Sequence, residues 1–195
     1  MVKKILLPAF FVLLIAAQWY VPADMVMQST KVIANGQLMR FKCAPVDPKD
    51  PFRGSYIVLN LENRAFPLPP NHDFQSGERV YVSFETDSAG FAKIKAISKV
   101  KPRNMREVLE TKIDYISNEE DKQVAFLDFP FSRFYMEEFK APVAEKMYND
   151  AVQSDTGNTY AMVHIYYGKA RISNVVVKGK LLSDFFTNKP SKLSP

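Results

Sequence analysis

Cysteine, histidine and glycine are scarce in this sequence. Among 195 residues there are one cysteine, Cys43, two histidines, His72 and His164, and seven glycines. One cysteine rules out an internal disulfide framework, and with two histidines it supplies too few ligands for a Cys/His zinc site within one chain. The glycines are not spaced as a phosphate-cradling loop. No G-x-S-x-G elbow occurs, and Ser55, which follows Gly54, has no histidine near it in sequence. Basic residues are not gathered in blocks: 26 Lys and Arg are scattered among 21 Asp and Glu for a net charge of +5. No nucleic-acid footprint is visible in that pattern. No cofactor, metal or nucleic-acid partner is expected, and no catalytic residue is nominated. Cys43 lies well past the N-terminal apolar run, so it is read as a small buried side chain at a strand end and not as a lipid-attachment site.

Apolar and aromatic residues are plentiful, at 47% and 13%, enough for a substantial core. The longest apolar run comes after Lys3 and Lys4, from Ile5 to Val21, broken only by Pro8 and Gln18 and closed by Trp19 and Tyr20. Lysines ahead of such a run favour a cytoplasmic N-terminus and export of the rest of the chain. As a cleaved signal peptide the segment offers Val21-Pro22-Ala23 for processing. As an anchor it covers about 26 Å of a ~30 Å hydrocarbon core and sets Trp19 and Tyr20 at the interface. Residues 1–23 are therefore expected to be a membrane anchor or signal segment, and 24–35 a stalk.

Beyond the stalk, Met39, Phe41 and Cys43 alternate with Arg40 and Lys42, the period of a half-buried strand. SYIVLNL, residues 55–61, is apolar on both faces and reads as a central strand. Three prolines make 64–74 a loop, and residues 79–99 form a hairpin around Ser88-Ala89-Gly90. The polar run 101–105 is the candidate boundary. After it come two strand-like runs, 111–117 and 122–129, around an acidic turn. Ala144, Met147, Tyr148, Ala151 and Val152 then trace one face of an amphipathic helix. A closing hairpin turns at Gly168, where His164 reads as a packed or edge strand residue. The expectation is an α+β, mainly β fold: an N-terminal membrane helix, then two packed small antiparallel β-units at 36–100 and 101–185, the second holding the amphipathic helix, and a loose tail at 186–195.

The richest polar cluster is "APVDPKDPFRGSYIVLNL", residues 44–61. Each Asp-Pro step holds its aspartate extended, the carboxylates of Asp47 and Asp50 can accept backbone N–H groups, and Arg53 is within reach of either. Gly54 frees the backbone before Tyr56. The corner is either a rigid entrance to the strand or an edge that holds a partner's carboxylate on Arg53 or a cation on Asp47 and Asp50. A second cluster, FPFSRFYMEE at 129–138, contributes Arg133, Tyr135 and Glu137. Its aromatics read as a seam between sheet and helix, or its polar groups face the Asp47–Arg53 corner across one groove.

The first cluster resembles the motif region of the GDYXXLXY family, bacterial membrane-anchored proteins of undetermined function. Gly54, Tyr56 and Leu59 match the G, Y and L of that string, while Ser55 replaces its Asp and Leu61 its final Tyr. FPFSRFYMEE and YYGKARISNVVVKGK are also similar to later family segments. The resemblance implies a single-pass protein of the bacterial inner membrane with a periplasmic C-terminal domain, working beside a polytopic membrane protein, and implies no catalysis. The expected function is a non-enzymatic binding or accessory module. The alternatives are secretion to the periplasm after signal cleavage, and a hydrolase or ligand-binding sensor using a groove between the β-units.

Overall fold

The computed structural model describes residues 2–45, 56–103, 105–119, 122–154 and 158–187. Its first element is the expected helix, α1 (Val2–Asn35), which runs unbroken through both the apolar segment and the stalk. Among the described residues, no helix is long and apolar enough to cross a membrane. Phe10, Phe11, Leu13, Leu14, Ile15, Trp19, Tyr20, Val21, Met25, Val26 and Met27 of α1 are all exposed. At 100° per residue these positions cover the whole circumference of the helix. Among its described side chains only those of the last turns dock, with Val32 buried against the body of the protein.

The chain passes from α1 into β1 (Gln37–Ala44) through Gly36 alone. A Cβ at Gly36 would stand 2.3 Å from Val32 O and 3.0 Å from Ile165 O, so glycine is required by the close approach. As the alternation predicts, Met39, Phe41 and Cys43 of β1 are buried.

Eleven further strands come after it: β2 (Tyr56–Val58), β3 (Asn60–Leu61), β4 (Ala65–Pro67), β5 (Arg79–Thr86), β6 (Ala92–Ser98), β7 (Val108–Glu119), β8 (Lys122–Asp128), β9 (Arg133–Tyr135), β10 (Tyr160–Tyr166), β11 (Lys169–Val177) and β12 (Lys180–Leu181). Two more helices, α2 (Ala141–Ser154) and α3 (Asp184–Thr187), complete the described elements. The strands form two five-stranded sheets, β12-β11-β10-β1-β3 and β4-β8-β7-β5-β6, and a separate β2-β9 ribbon. Every strand pair is antiparallel. The mainly β, antiparallel expectation with an N-terminal helix therefore holds.

The hairpins and the helix fall where periodicity puts them. Asp87 closes the β5–β6 turn by accepting the Ala89 and Phe91 amides at 2.9 and 2.8 Å, and Gly90 takes the left-handed conformation there at φ 84°. The amphipathic helix α2 buries Ala144, Tyr148, Ala151 and Val152. Sheet membership, however, ignores the expected boundary at 101–105. β1 pairs with β10, and β7 pairs with β5, so each sheet takes strands from both sides of it.

Three local expectations are corrected. SYIVLNL is not one central strand: it divides at Leu59 into β2 and β3, which pair with different partners, and of its described residues, 56–61, it buries only Ile57, Leu59 and Leu61. The loop at 64–74 contains β4, which lies at a sheet edge, where Pro67 lacks an amide without cost to a second neighbour. In the tail, Phe186 and Thr187 belong to α3, and 188–195 lie outside the described residues.

One core joins the layers. Phe41 of β1 meets Phe84 of β5 edge to face at 5.2 Å, and contacts Phe129 and Phe131 at 6.0 and 4.9 Å. These rings lock one sheet to the other, each pair contributing about 0.5–1.5 kcal/mol beyond its buried area.

Candidate functional site

The β2–β9 ribbon brings together one residue of the first polar cluster and two of the second. Directly opposite residues in an antiparallel pair share a face. Tyr56 stands opposite Tyr135 and Val58 opposite Arg133, while Ile57, opposite Phe134, is fully buried on the core side. The alternation thus turns Tyr56 outward. Its ring lies 5.5 Å from that of Tyr135, and the Arg133 guanidinium sits 5.1 Å from the Tyr56 centroid. Tyr135 is 67% exposed and Phe139, just beyond, 92%. These two depart from the expected core seam; Phe129 and Phe131 keep to it.

Glu137 has another task. Its carbonyl accepts the amides of Lys140 and Ala141 at 2.9 and 3.1 Å, and its carboxylate meets Lys140 Nζ at 2.8 Å. It shapes the turn into α2. Asp47, Asp50, Arg53 and Gly54 lie outside the described residues, and with them the expected groove between Arg53 and Glu137.

Shifted titrations occur elsewhere. Burial pushes the Cys43 thiol up to about 12, and burial likewise raises the Tyr148 phenol, with the neighbouring Cys43 adding to it. Among the described residues Tyr148 Oη nevertheless makes no hydrogen bond of good geometry. On the surface Lys99 binds Glu78 and Asp73, each at 3.0 Å. Those contacts raise the Lys99 ammonium and lower the Asp73 carboxyl. The Cys43–Tyr148 pair is core packing, and the Lys99 group is a solvated tie between the 73–78 turn and β6.

A cleft of about 480 Å³ opens between the two large sheets and the C-terminal part of α1. Arg79, Glu110, Lys112 and Asp128 line it from one sheet, Lys169 and Arg171 from the other, and Gln28 from α1. The β10–β11 turn forms its floor, since Glu110 N donates to Gly168 O at 3.0 Å and Gly168 N to Val108 O at 2.7 Å. Gly168 takes φ 94°, and a Cβ there would meet Glu110 Cβ at 3.4 Å. Sequence reading missed this cleft. Its one local signal was Lys169 and Arg171 at strand spacing, which puts both on one face.

The fold and its surface define a mainly antiparallel β protein that carries a long, largely uncovered N-terminal helix and an exposed aromatic ribbon. Residues 18–175 match the family described as GDYXXLXY protein, and the chain belongs to that family. Of the string matched at residues 54–61, Tyr56 lies on the ribbon and faces outward, while Leu59, between β2 and β3, is buried in the core. No curated protein and no solved structure matches the chain.

Proposed function

We propose that this protein is a non-enzymatic binding module, held at the bacterial inner membrane by α1, whose periplasmic β domain docks a polytopic membrane partner through the β2–β9 ribbon. The observation that carries the reading is the outward face of the ribbon, where half-buried Tyr56 meets Arg133 and exposed Tyr135, with exposed Phe139 four residues further along the chain. Aromatic residues and Arg are the types that dominate protein interfaces, and a ring as uncovered as Phe139 costs solvation unless a partner takes it. The tether draws support from α1. Apolar side chains all around a helix need a surrounding that covers every side, which lipid supplies. In the alternative, cleavage releases the domain to the periplasm.

The test is recovery of the C-terminally tagged full chain from lightly crosslinked membranes, wild type against the Tyr135→Ser/Phe139→Ser double variant. One membrane protein is expected to co-purify with wild type and to be lost from the variant. Equal recovery with both contradicts the reading. The second reading, a ligand-binding sensor or hydrolase, draws on the 480 Å³ cleft. A hydrolase needs an activated nucleophile, and the Thr111 hydroxyl on that wall already donates to the Asp128 carbonyl. Ligand binding is the part of that reading the cleft favours.

A further inference from the structure

Two compartments adjoin beside the last turns of α1. The larger is the basic cleft; the smaller, of about 190 Å³, is lined by Val32, Tyr166 and Tyr167 with Lys31, and shares Gln28 and Lys169 with the first. One is cationic and the other aromatic and aliphatic.

The cations are placed at some cost. Arg79 and Lys112 stand directly opposite each other on β5 and β7, an arrangement of like charges that destabilises a sheet. Glu110, 3.5 Å from Arg79, and Asp128, opposite Lys112, offset this in part. With Lys169 and Arg171 the lining still holds four cations against two carboxylates. Lys112 makes no ion pair among the described residues. Lys169 and Arg171 are aimed by α1 itself: Lys169 Nζ donates to Gln28 Oε1, and Arg171 Nε to Ser29 Oγ at 3.2 Å.

The run of exposed large apolar side chains on α1 reaches Met27, one residue before Gln28, with Ile33 alone exposed beyond it among the described residues. From Val21 to Gln28 the helix rises about 10 Å, and a headgroup layer is roughly 5–8 Å deep. We infer that the cleft binds the phosphate headgroup of an anionic lipid from the membrane that holds α1. Arg79, Lys112, Lys169 and Arg171 take the phosphate, and Tyr166 and Tyr167 flank the rest of the polar head on the side away from the membrane. This inference rests on the tethered reading.

The experiment uses the full chain with vesicles of phosphatidylcholine alone or with added phosphatidylglycerol. Flotation reports association, thermal unfolding reports occupancy, and inorganic phosphate is a separate arm. Phosphatidylglycerol is expected to raise the wild-type Tm by about 5 °C over phosphatidylcholine. The exposed-site variant Lys112→Gln/Arg171→Gln is expected to abolish the rise. Tyr167→Asn, which suits the left-handed backbone at that position (φ 47°), is expected to reduce it. Equal Tm on both vesicles overturns the inference, as does an undiminished rise in the double variant. A rise reproduced by phosphate alone overturns the lipid and leaves a free-anion site. If the chain floats with neither vesicle, the tether fails and this inference with it; if it floats with both and shows no rise, only this inference fails.

Discussion

Among the described residues Tyr148 is the largest fully buried side chain, and its hydroxyl makes no hydrogen bond of good geometry there. An unpaired buried hydroxyl contributes nothing and costs its lost hydration, so Tyr148→Phe is expected to leave stability unchanged or raise it by up to about 1 kcal/mol. Tyr148→Ala, which empties the space beneath α2, is expected to lose about 3–5 kcal/mol. Urea unfolding of both variants checks this, and a destabilised Tyr148→Phe would show that the hydroxyl is bonded. The same pair sets an alkaline limit. A free thiol ionises near 9.0, whereas in the fold Cys43 holds its proton to about 12. Between those values the folded state binds more protons than the unfolded one, so stability is complete below pH 9 and falls as pH rises through that window. Cys43→Ala is expected to flatten part of the decline, measured as Tm against pH. At the residue scale the sequence was legible where burial alternates, as at Met39, Phe41 and Cys43. It was not legible at Phe139, which is as apolar as Phe129 and Phe131, because only tertiary packing tells a buried phenylalanine from one left in solvent.

Gly36 decides how α1 joins the sheet. With Val32 O 2.3 Å from a would-be Cβ, the clash is with backbone of the helix's last turn, and no rotamer relieves it. Gly36→Ala is expected to cost about 1–3 kcal/mol, lowering Tm by roughly 2–4 °C per kcal/mol. Thermal unfolding measures it. The ribbon is a lighter element, and Arg133→Gln, which removes a surface cation from the Tyr56 ring, is expected to cost no more than about 1 kcal/mol while leaving the far-ultraviolet spectrum unchanged. Among the elements, the two long hairpins and α2 were readable because each carries its own period and turn. β2 and β3 were not, because a short apolar run looks alike whether covered on one face or two. β4 was concealed by Pro67, which is tolerated only because that strand is an edge.

At the scale of the molecule, the pairing that closes the fold is non-local. β1 meets β10 across most of the chain, with Gln37 opposite Ile165 and Lys42 opposite Tyr160. No local pattern encodes that choice, so a polar run at 101–105 looked like a boundary between units that in fact share sheets. Fragments 36–100 and 101–185 are accordingly expected not to fold separately, each lacking strands its sheets require, and circular dichroism of the two fragments tests this. The cleft was illegible for the same reason: its cations come from β5, β7 and β11 and meet only when the sheets face each other. The ribbon was half legible. Both of its strands were singled out by composition, but their mutual pairing was not.

The central claim, that the ribbon edge docks a membrane partner, is tested most directly by placing a photoreactive phenylalanine at position 139 in the full chain, with a second at exposed Lys95 on the outer strand β6 as the comparison. Illumination of intact membranes is predicted to join position 139 to one membrane protein and position 95 to none. Crosslinks to the same proteins from both positions, or none from 139, would contradict the account.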